Sequence, residues 1–372
     1  MFFKDIIGQE AVKQQLIQSA QSGTVPHALL FCGQAGTGAF PLAFAYARYL
    51  NCKDRSEADA CGRCPSCLKF NEMVHPDLHF IFPMVKDQKH TICDDYLIQW
   101  REFLSTHTYF DLNMWLSYMD AANKQAIIYA KESDDIIHKI NLRIYEADYR
   151  VLLIWMPERM HVVCANKLLK IIEEPPKNTI VLMASEDPDQ ILGTILSRSQ
   201  RINIKPIQTE ALAKAIEATF NRQPEEAQAI AHMSHGNYLT TIETINVSEE
   251  NEFFLEQFIR IMRNSWARNV KEMKRFAEDM TAIGRERQKN FLKYCQHLIR
   301  ENFMCRFQAE DMNYMNQTEK IFSARFAPFI NERNVFEFIE ELSDSERHIS
   351  QNGNAKMIFF DLALHITVLL KK

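Results

Sequence analysis

Glycine and proline are scarce, 10 and 12 in 372 residues, too few for a collagen-like, linker-rich or low-complexity chain. A basic surplus is also missing. Lysine and arginine number 43 against 48 aspartates and glutamates, a formal net charge of -5, which argues against a dedicated nucleic-acid binder with its strong basic footprint. Long apolar runs are absent too. The longest, from Met357 to Leu370, is interrupted by Asp361 and His365 and suits a core helix better than a bilayer span, which takes about 20 apolar residues. Met1-Phe2-Phe3-Lys4-Asp5 leads straight into an amphipathic segment without a secretory signal, so the expected location is the cytoplasm, where disulfides are rare. With 47% hydrophobic residues, the chain has material for a sizeable core spread over two or three domains.

A further absence lies inside a motif. Gly33-Gln34-Ala35-Gly36-Thr37-Gly38-Ala39-Phe40 has the glycine spacing of a phosphate-binding loop, G-x-x-x-x-G-K-[ST]. In a working loop the Lys meets the β- and γ-phosphates and the hydroxyl meets Mg²⁺. Ala39 and Phe40 stand in those two places. The flanks fit, since Ala28–Cys32 reads as a buried strand and Pro41 to Leu50 as the following helix; alone, the loop reads equally well as a glycine-rich turn unrelated to nucleotide. The strand Val151–Met156 is where an ATPase carries the acids for Mg²⁺ and the attacking water. It runs instead into Trp155-Met156-Pro157-Glu158, and Glu158, displaced beyond a proline, reads as a cap for a helix over Arg159–Ile172. Losing the Lys, the hydroxyl and the strand acids together describes a pseudo-ATPase without a functional ATP/Mg²⁺ site. Gly33, Gly36, Thr37 and Gly38 remain as a backbone cradle for weak nucleotide binding or none.

What is present is sharper. Cys52, Cys61, Cys64 and Cys67 follow C-x8-C-x2-C-x2-C, with Gly62 and Pro65 supplying the turns. Four thiolates suit tetrahedral Zn²⁺, and a site with no open position is structural, because catalytic zinc keeps a place for water. Free thiols or disulfides are the alternative, and a reducing compartment disfavours the second. Cys32, Cys93, Cys164, Cys295 and Cys305 lack ligand spacing and read as small core residues.

Over the first 207 residues, apolar runs suited to buried parallel strands alternate with helical patterns, an α/β arrangement with helices on both faces. The expected strands are Ala28–Cys32, Leu78–Phe82, Ala126–Tyr129, Val151–Met156, Ile180–Ala184 and Ile202–Ile204. Residues 86–124 form an aromatic-rich insertion, with Trp100, Phe103, Tyr109, Phe110, Trp115 and Tyr118, expected to build its own helices around a satellite core. Residues 208–248 read as a small helical domain and 249–372 as an all-α domain. In the last, Phe291, Cys295, Leu298 and Phe303, and again Met357, Phe360, Leu364 and Val368, recur at helical spacing as stripes in need of partners. From Arg260 to Arg300 basic residues outnumber acidic ones, either as a solvated face or as a contact for DNA or an acidic surface.

Several segments then fall in a familiar order: Phe3-Lys4-Asp5-Ile6-Ile7-Gly8-Gln9-Glu10, His27-Ala28-Leu29-Leu30-Phe31, the loop, the four cysteines, His75-Pro76-Asp77, Asn166-Lys167-Leu168-Leu169-Lys170 with Glu173-Glu174-Pro175-Pro176, and Ser197-Arg198-Ser199-Gln200. The chain resembles the AAA+ P-loop subunits of the bacterial sliding-clamp loader of DNA polymerase III, and among them the delta-prime class. Ser199 departs from the family's Ser-Arg-Cys, and the 86–124 insertion is longer than the usual connection.

The resemblance implies a parallel-sheet AAA+ domain over 1–207, a helical lid over 208–248 and a collar over 249–372. It implies a hetero-pentamer with the tau/gamma ATPase subunits and the delta subunit, acting on the sliding clamp and primed DNA during replication, with no membrane role. Its member without ATPase activity acts as a stator that supplies an arginine to a neighbour's ATP site, here Arg198 through Ser197-Arg198-Ser199. A rigid guanidinium delivered in trans stabilises charge on the transferring phosphoryl group; an ion pair with a surface carboxylate is the plainer role for the same side chain. Ser185 falls at the family's γ-phosphate-sensing position, Leu239 where active relatives have a sensing Arg, and Ile7-Gly8-Gln9 where the adenine is bordered. A zinc-module DNA-binding protein of AAA+-like build, or a weakly active ATPase outside the clamp loader, is the alternative.

Overall fold

The computed structural model describes residues 1–122, 124–305 and 317–372; residue 123 of the expected insertion and 306–316 of the helical third lie outside the described residues. The chain divides into two compact units, Met1–Thr244 and Ile245–Lys372.

In the first unit, β1 (Ala28–Cys32), β2 (Leu78–Ile81), β3 (Arg150–Trp155), β4 (Thr179–Ser185) and β5 (Gln200–Asn203) form one parallel sheet in the order β2-β3-β4-β1-β5. β1, β3 and β4 are buried at every position, as parallel strands covered on both faces must be, which is why they read as unbroken apolar runs. β5 closes one edge and exposes Gln200, Arg201 and Asn203, polar groups that discourage pairing with another chain. β1 lies between β4 and β5, so the glycine loop leaves its carboxyl end at the point where the strand order reverses. Open α/β sheets bind ligands there.

The expected strand Ala126–Tyr129 is not part of this sheet. Ile127 makes one antiparallel bridge to Met84 and Ile128 one parallel bridge to Met160. The segment is apolar because Ala126 and Ile128 are buried, and burial with isolated bridges leaves the same mark in a sequence as a strand of the sheet.

The helices of this unit are α1 (Glu10–Gln21), α2 (Ala39–Asn51), α3 (Pro65–Asn71), α4 (Leu97–Thr106), α5 (Leu112–Tyr118), α6 (Ala130–Asn141), α7 (Val162–Glu173), α8 (Gly193–Leu196), α9 (Thr209–Phe220) and α10 (Pro224–Met233), followed by α11 (Tyr238–Trp266), which runs past Thr244. α2, the helix after the glycine loop, is buried along its whole length; a helix apolar all round belongs in a core. Its one cation, Arg48, donates to the carbonyls of Met1 and Cys67 at 3.3 and 3.2 Å and to Asn71, and lies 3.5 Å from the centre of the Phe2 ring.

The insertion does carry helices, α4 and α5, but its aromatics are not a separate core. Trp100, Phe103, Phe110 and Trp115 belong to the main hydrophobic core, and only Val85, Leu116, Ala121 and Ala126 form a small cluster apart.

In the second unit the described residues beyond α11 form α12 (Val270–Ala282), α13 (Arg285–Met304), α14 (Gln317–Phe326), α15 (Val335–Ser350) and α16 (Ala355–Leu369). Phe291, Cys295 and Leu298 enter the core as expected. The other expected stripe does not: α16 buries Phe359, Leu362, Ala363 and Ile366 and leaves Met357, Leu364 and Val368 exposed at 68%, 39% and 60%. The basic run from Arg260 to Arg300 is partly neutralised by Arg260–Asp279, Arg287–Glu250, Lys289–Glu286 and Lys293–Glu346 pairs, as a solvated helical face would be. No helix among the described residues is long and apolar enough to cross a membrane.

Candidate functional site

The glycine loop keeps the glycine spacing of a phosphate cradle, and the start of α11 packs against it. Gly36 has φ +79°, and a Cβ there would lie 2.1 Å from Asn237 Oδ1. Glycine is required both by the left-handed backbone and by the approach of this side chain. Asn237 Nδ2 donates to the Ala35 carbonyl at 2.9 Å, its Oδ1 accepts the Leu239 N–H at 2.9 Å, and the Tyr238 N–H donates to the Gly36 carbonyl at 3.1 Å. Thr37, buried, donates its hydroxyl to the Gln34 carbonyl at 2.7 Å.

Phe40, at the position of the magnesium-binding hydroxyl, is 5% exposed and sits in an aromatic cage. Its ring centre lies 5.1 Å from Phe110, 5.9 Å from Trp100 and 6.5 Å from Trp155. Trp155 ends β3, where the acids of an ATPase would be, so rings that pack on each other stand at both positions. What is left is a cavity of about 20 Å³ bordered by the loop, Thr108, Tyr109, Phe110, Trp155, Ser185 and Glu186, room for about one water molecule. No lysine or arginine lines it.

Its nearest charge has the wrong sign for phosphate. Burial, then the Glu158 and Asp111 carboxylates, pushes Glu186 up to about 7. Glu158 is itself raised, chiefly by burial. It does not cap a helix beginning at Arg159, as the sequence suggests. α7 starts at Val162 with His161 as its cap, the imidazole accepting the Val163 N–H at 3.2 Å, while Glu158 Oε1 accepts the N–H groups of Glu186 and Asp187 at 2.9 and 3.3 Å.

The second motif is assembled. The sulfurs of Cys52, Cys61, Cys64 and Cys67 all lie within 4.8 Å of one another, close enough for four Zn–S bonds of about 2.3 Å to one ion. The Cys61, Cys64 and Cys67 N–H groups point at the sulfurs of Cys52, Cys61 and Cys64, at 3.2, 3.3 and 3.4 Å, donors that favour thiolates. Burial raises the Cys61 thiol, but the Arg63 and Cys64 N–H groups outweigh it and bring the group down to about 6. The donor set fits a closed tetrahedral metal site, and the cluster packs on Ala60 and Phe2.

Arg198 follows α8 at the surface. Its Nε lies 3.0 Å from Glu173 Oε2 and its Nη2 donates to Oε1 at 3.3 Å, while Nη1 reaches the Thr194 carbonyl at 3.1 Å and Ser197 Oγ at 3.4 Å. Glu173 ends α7, and the side chain of Arg198 is 33% exposed. Ser185 ends β4 fully buried, and Leu239 lies in the first turn of α11 beside Asn237. Sequence reading missed the rings that close the cavity, Tyr109 and Phe110, and the contact of Asn237 with the loop. A bulky ring at the hydroxyl position of the loop was the available signal, since Phe40 needs aromatic partners.

The family described as "DNA polymerase III, delta subunit" matches residues 8–208. The chain belongs to this family. It is 27% identical over 246 residues to DNA polymerase III subunit delta' of Bacillus subtilis (strain 168), covering 66% of this chain and 60% of that one. It is 25% identical over 243 residues to DNA polymerase III subunit tau of Escherichia coli (strain K12), covering 63% and 31%. Among solved structures, a gamma-subunit-related protein of Thermotoga maritima aligns over 95% of this chain and 99% of its own at 11% identity and a TM-score of 0.38. The alignments thus span less than two thirds of the length of these curated relatives. The clamp-loader family read from the motifs is the one these comparisons return.

Proposed function

We propose that this chain is a delta-prime-like subunit of a clamp loader, a stator without ATPase activity that lends Arg198 to the ATP site of an adjacent subunit while the sliding clamp is placed on primed DNA. The carrying observation is the glycine loop, with its Lys position apolar, its hydroxyl position caged by Phe110, Trp100 and Trp155, and its cavity reduced to about 20 Å³ beside Glu186. Phosphoryl transfer is catalysed almost wholly by positioning and by cationic stabilisation of the phosphates, and neither is available there. The guanidinium of Arg198, held by Glu173 at the surface, is a planar fork that a neighbouring γ-phosphate could engage.

The domain assignment goes with this reading: an AAA+ domain over 1–207, a lid over 208–248 and a collar over 249–372. Exposed Met357, Leu364 and Val368 on α16 are the kind of surface that tau/gamma and delta partners would cover in a pentamer. The four cysteines would hold one structural Zn²⁺, a metal that ties the module together without taking part in chemistry. A replisome-associated, cytoplasmic location follows from the same role.

The test is a reconstituted complex carrying Arg198→Ala. The variant should fold and assemble, while hydrolysis at the one adjacent site falls by about 10³-fold and clamp loading falls more than total turnover does. Arg198→Lys should not rescue, because a point charge cannot replace the fork. Wild-type turnover at that site would reduce Arg198 to a surface ion pair, and Mg²⁺-dependent hydrolysis by the isolated wild-type chain would overturn the stator reading.

A further inference from the structure

We propose that the insertion supplies an internal ligand for the glycine loop: Tyr109 and Phe110 occupy the seat beside it and fasten the start of α11 to the loop without any nucleotide. The inference rests on the reading of the loop as catalytically silent and goes beyond it, since silence requires only that catalytic groups be missing.

The joint is built from three places far apart in sequence. The Tyr109 hydroxyl accepts the Ile7 N–H at 2.8 Å, its ring centre lies 4.8 Å from that of Tyr238, and it is 6% exposed. A Cβ on Gly38 would be 3.7 Å from the same ring, so the ring rests on the loop itself. Phe110 fills the other side, its ring centre 4.9 Å from Trp155 and 5.1 Å from Phe40. Below the rings, Asn237 and Tyr238 bond the carbonyls of Ala35 and Gly36. Gln9 adds a fourth strut, its Nε2 donating to the Thr37 carbonyl at 3.2 Å and to that of Lys205 at 2.6 Å.

Tyr109 is matched as a bound ligand would be, its hydroxyl on a backbone N–H and its ring against an aromatic. A diffusible ligand stabilises such a joint only in proportion to its concentration over its dissociation constant. A tethered one is always present at high effective concentration. The contact therefore holds Asn237 and Tyr238 on the loop whatever the nucleotide level, the property a rigid stator needs. A buried tyrosine with its hydroxyl satisfied is also suited to the seat because ring and handle are both used.

The experiment is hydrogen exchange on the full chain. In Tyr109→Ala the amides of Tyr238 and Leu239 should exchange about tenfold faster or more, as a local opening is released, while those of β3 and β4 keep their protection. Unchanged exchange at 238–239 would overturn the proposal. Should Tyr109→Ala fail to fold, Tyr109→Phe keeps the ring and removes the bond to Ile7, and the Ile7 amide should then lose protection; an unaltered Ile7 amide would equally overturn it. Added ATP, with magnesium chelated, should leave exchange across 107–111 in the wild type unchanged. ATP-dependent exposure of that segment would show that the rings are displaced by nucleotide and would sink the proposal, even if no hydrolysis followed and the stator reading survived.

Discussion

The glycine loop and the four-cysteine module are both ligand motifs by spacing, and they part ways in what stands at the centre. Around the loop, the chain itself meets the carbonyls of Ala35 and Gly36, through Asn237 and Tyr238, and fills the space beside them with Phe40, Tyr109 and Phe110. In the module, four sulfurs face one another and accept the N–H groups of Cys61, Cys64 and Cys67. One set of atoms is complementary to itself. The other gathers four sulfur donors that fit a tetrahedral metal, which would offset their charge once they ionise. Spacing thus reports the backbone a motif builds, and whether a ligand belongs there depends on what the rest of the chain places inside.

The sharpest way to break this comparison is to attack the module. Protein purified under reducing conditions without chelator should carry about one Zn²⁺, measured by elemental analysis, and Cys64→Ser or a strong chelator should unfold the 52–67 region, read as new proteolytic cleavage there. Structural zinc in small modules is worth roughly 10–16 kcal/mol of apparent binding energy at neutral pH, so the effect should be the largest of the three. Retention should weaken as pH falls, because protons compete for the thiolates. A metal-free protein with unchanged stability would make the two motifs alike.

Phe40→Ala tests the other side. If the ring is core and not the relic of a ligand site, its removal should cost about 3–5 kcal/mol in denaturant unfolding, as for other buried Phe→Ala changes. A loss well under that would mean the cage had room to spare.

The smallest effect concerns Glu186. Its folded pKa, about 7, lies above the ordinary 4.5, so the folded state binds the proton more tightly than the unfolded one. The stability this contributes is complete below about pH 4.5 and is lost as pH rises through about 7. Glu186→Gln should therefore stabilise the protein at pH 8 by about 1 kcal/mol, discounted for the side chain's partial exposure, and flatten the melting-temperature profile between those limits. A variant less stable than wild type at pH 8 would mean that the carboxylate is held by favourable bonds and that its charge is not the penalty described here.

Much of the first unit was legible because its signals are local. β1, β3 and β4 announce themselves as apolar runs, and Cys61, Cys64 and Cys67 lie within one turn and a short helix. The apolar residues at the lysine and hydroxyl positions of the loop, Ala39 and Phe40, and the missing acids at the end of β3 were visible too. The role of the insertion was not. Tyr109 meets Ile7 across 102 positions, and Asn237 meets Ala35 across 202, contacts that leave no periodicity behind. For the same reason Ala126–Tyr129 passed for a strand: buried apolar residues look alike whether or not they pair. α16 shows the limit on helices, where an apolar composition on nearly all sides concealed that Phe359, Leu362 and Ile366, and not Met357, Leu364 and Val368, face the core.

The sequence by itself determined the family, the parallel sheet's central strands, the convergence of four cysteines and the absence of a phosphate-binding lysine, since each follows from residue type and short-range spacing. Only the tertiary structure decided that Phe40 is caged by Phe110, Trp100 and Trp155, that Arg198 is held against Glu173, and that Met357, Leu364 and Val368 of α16 are exposed. Those outcomes depend on which distant side chains share a volume. Close packing admits one arrangement of rings around Phe40, and nothing in the linear order of residues specifies it.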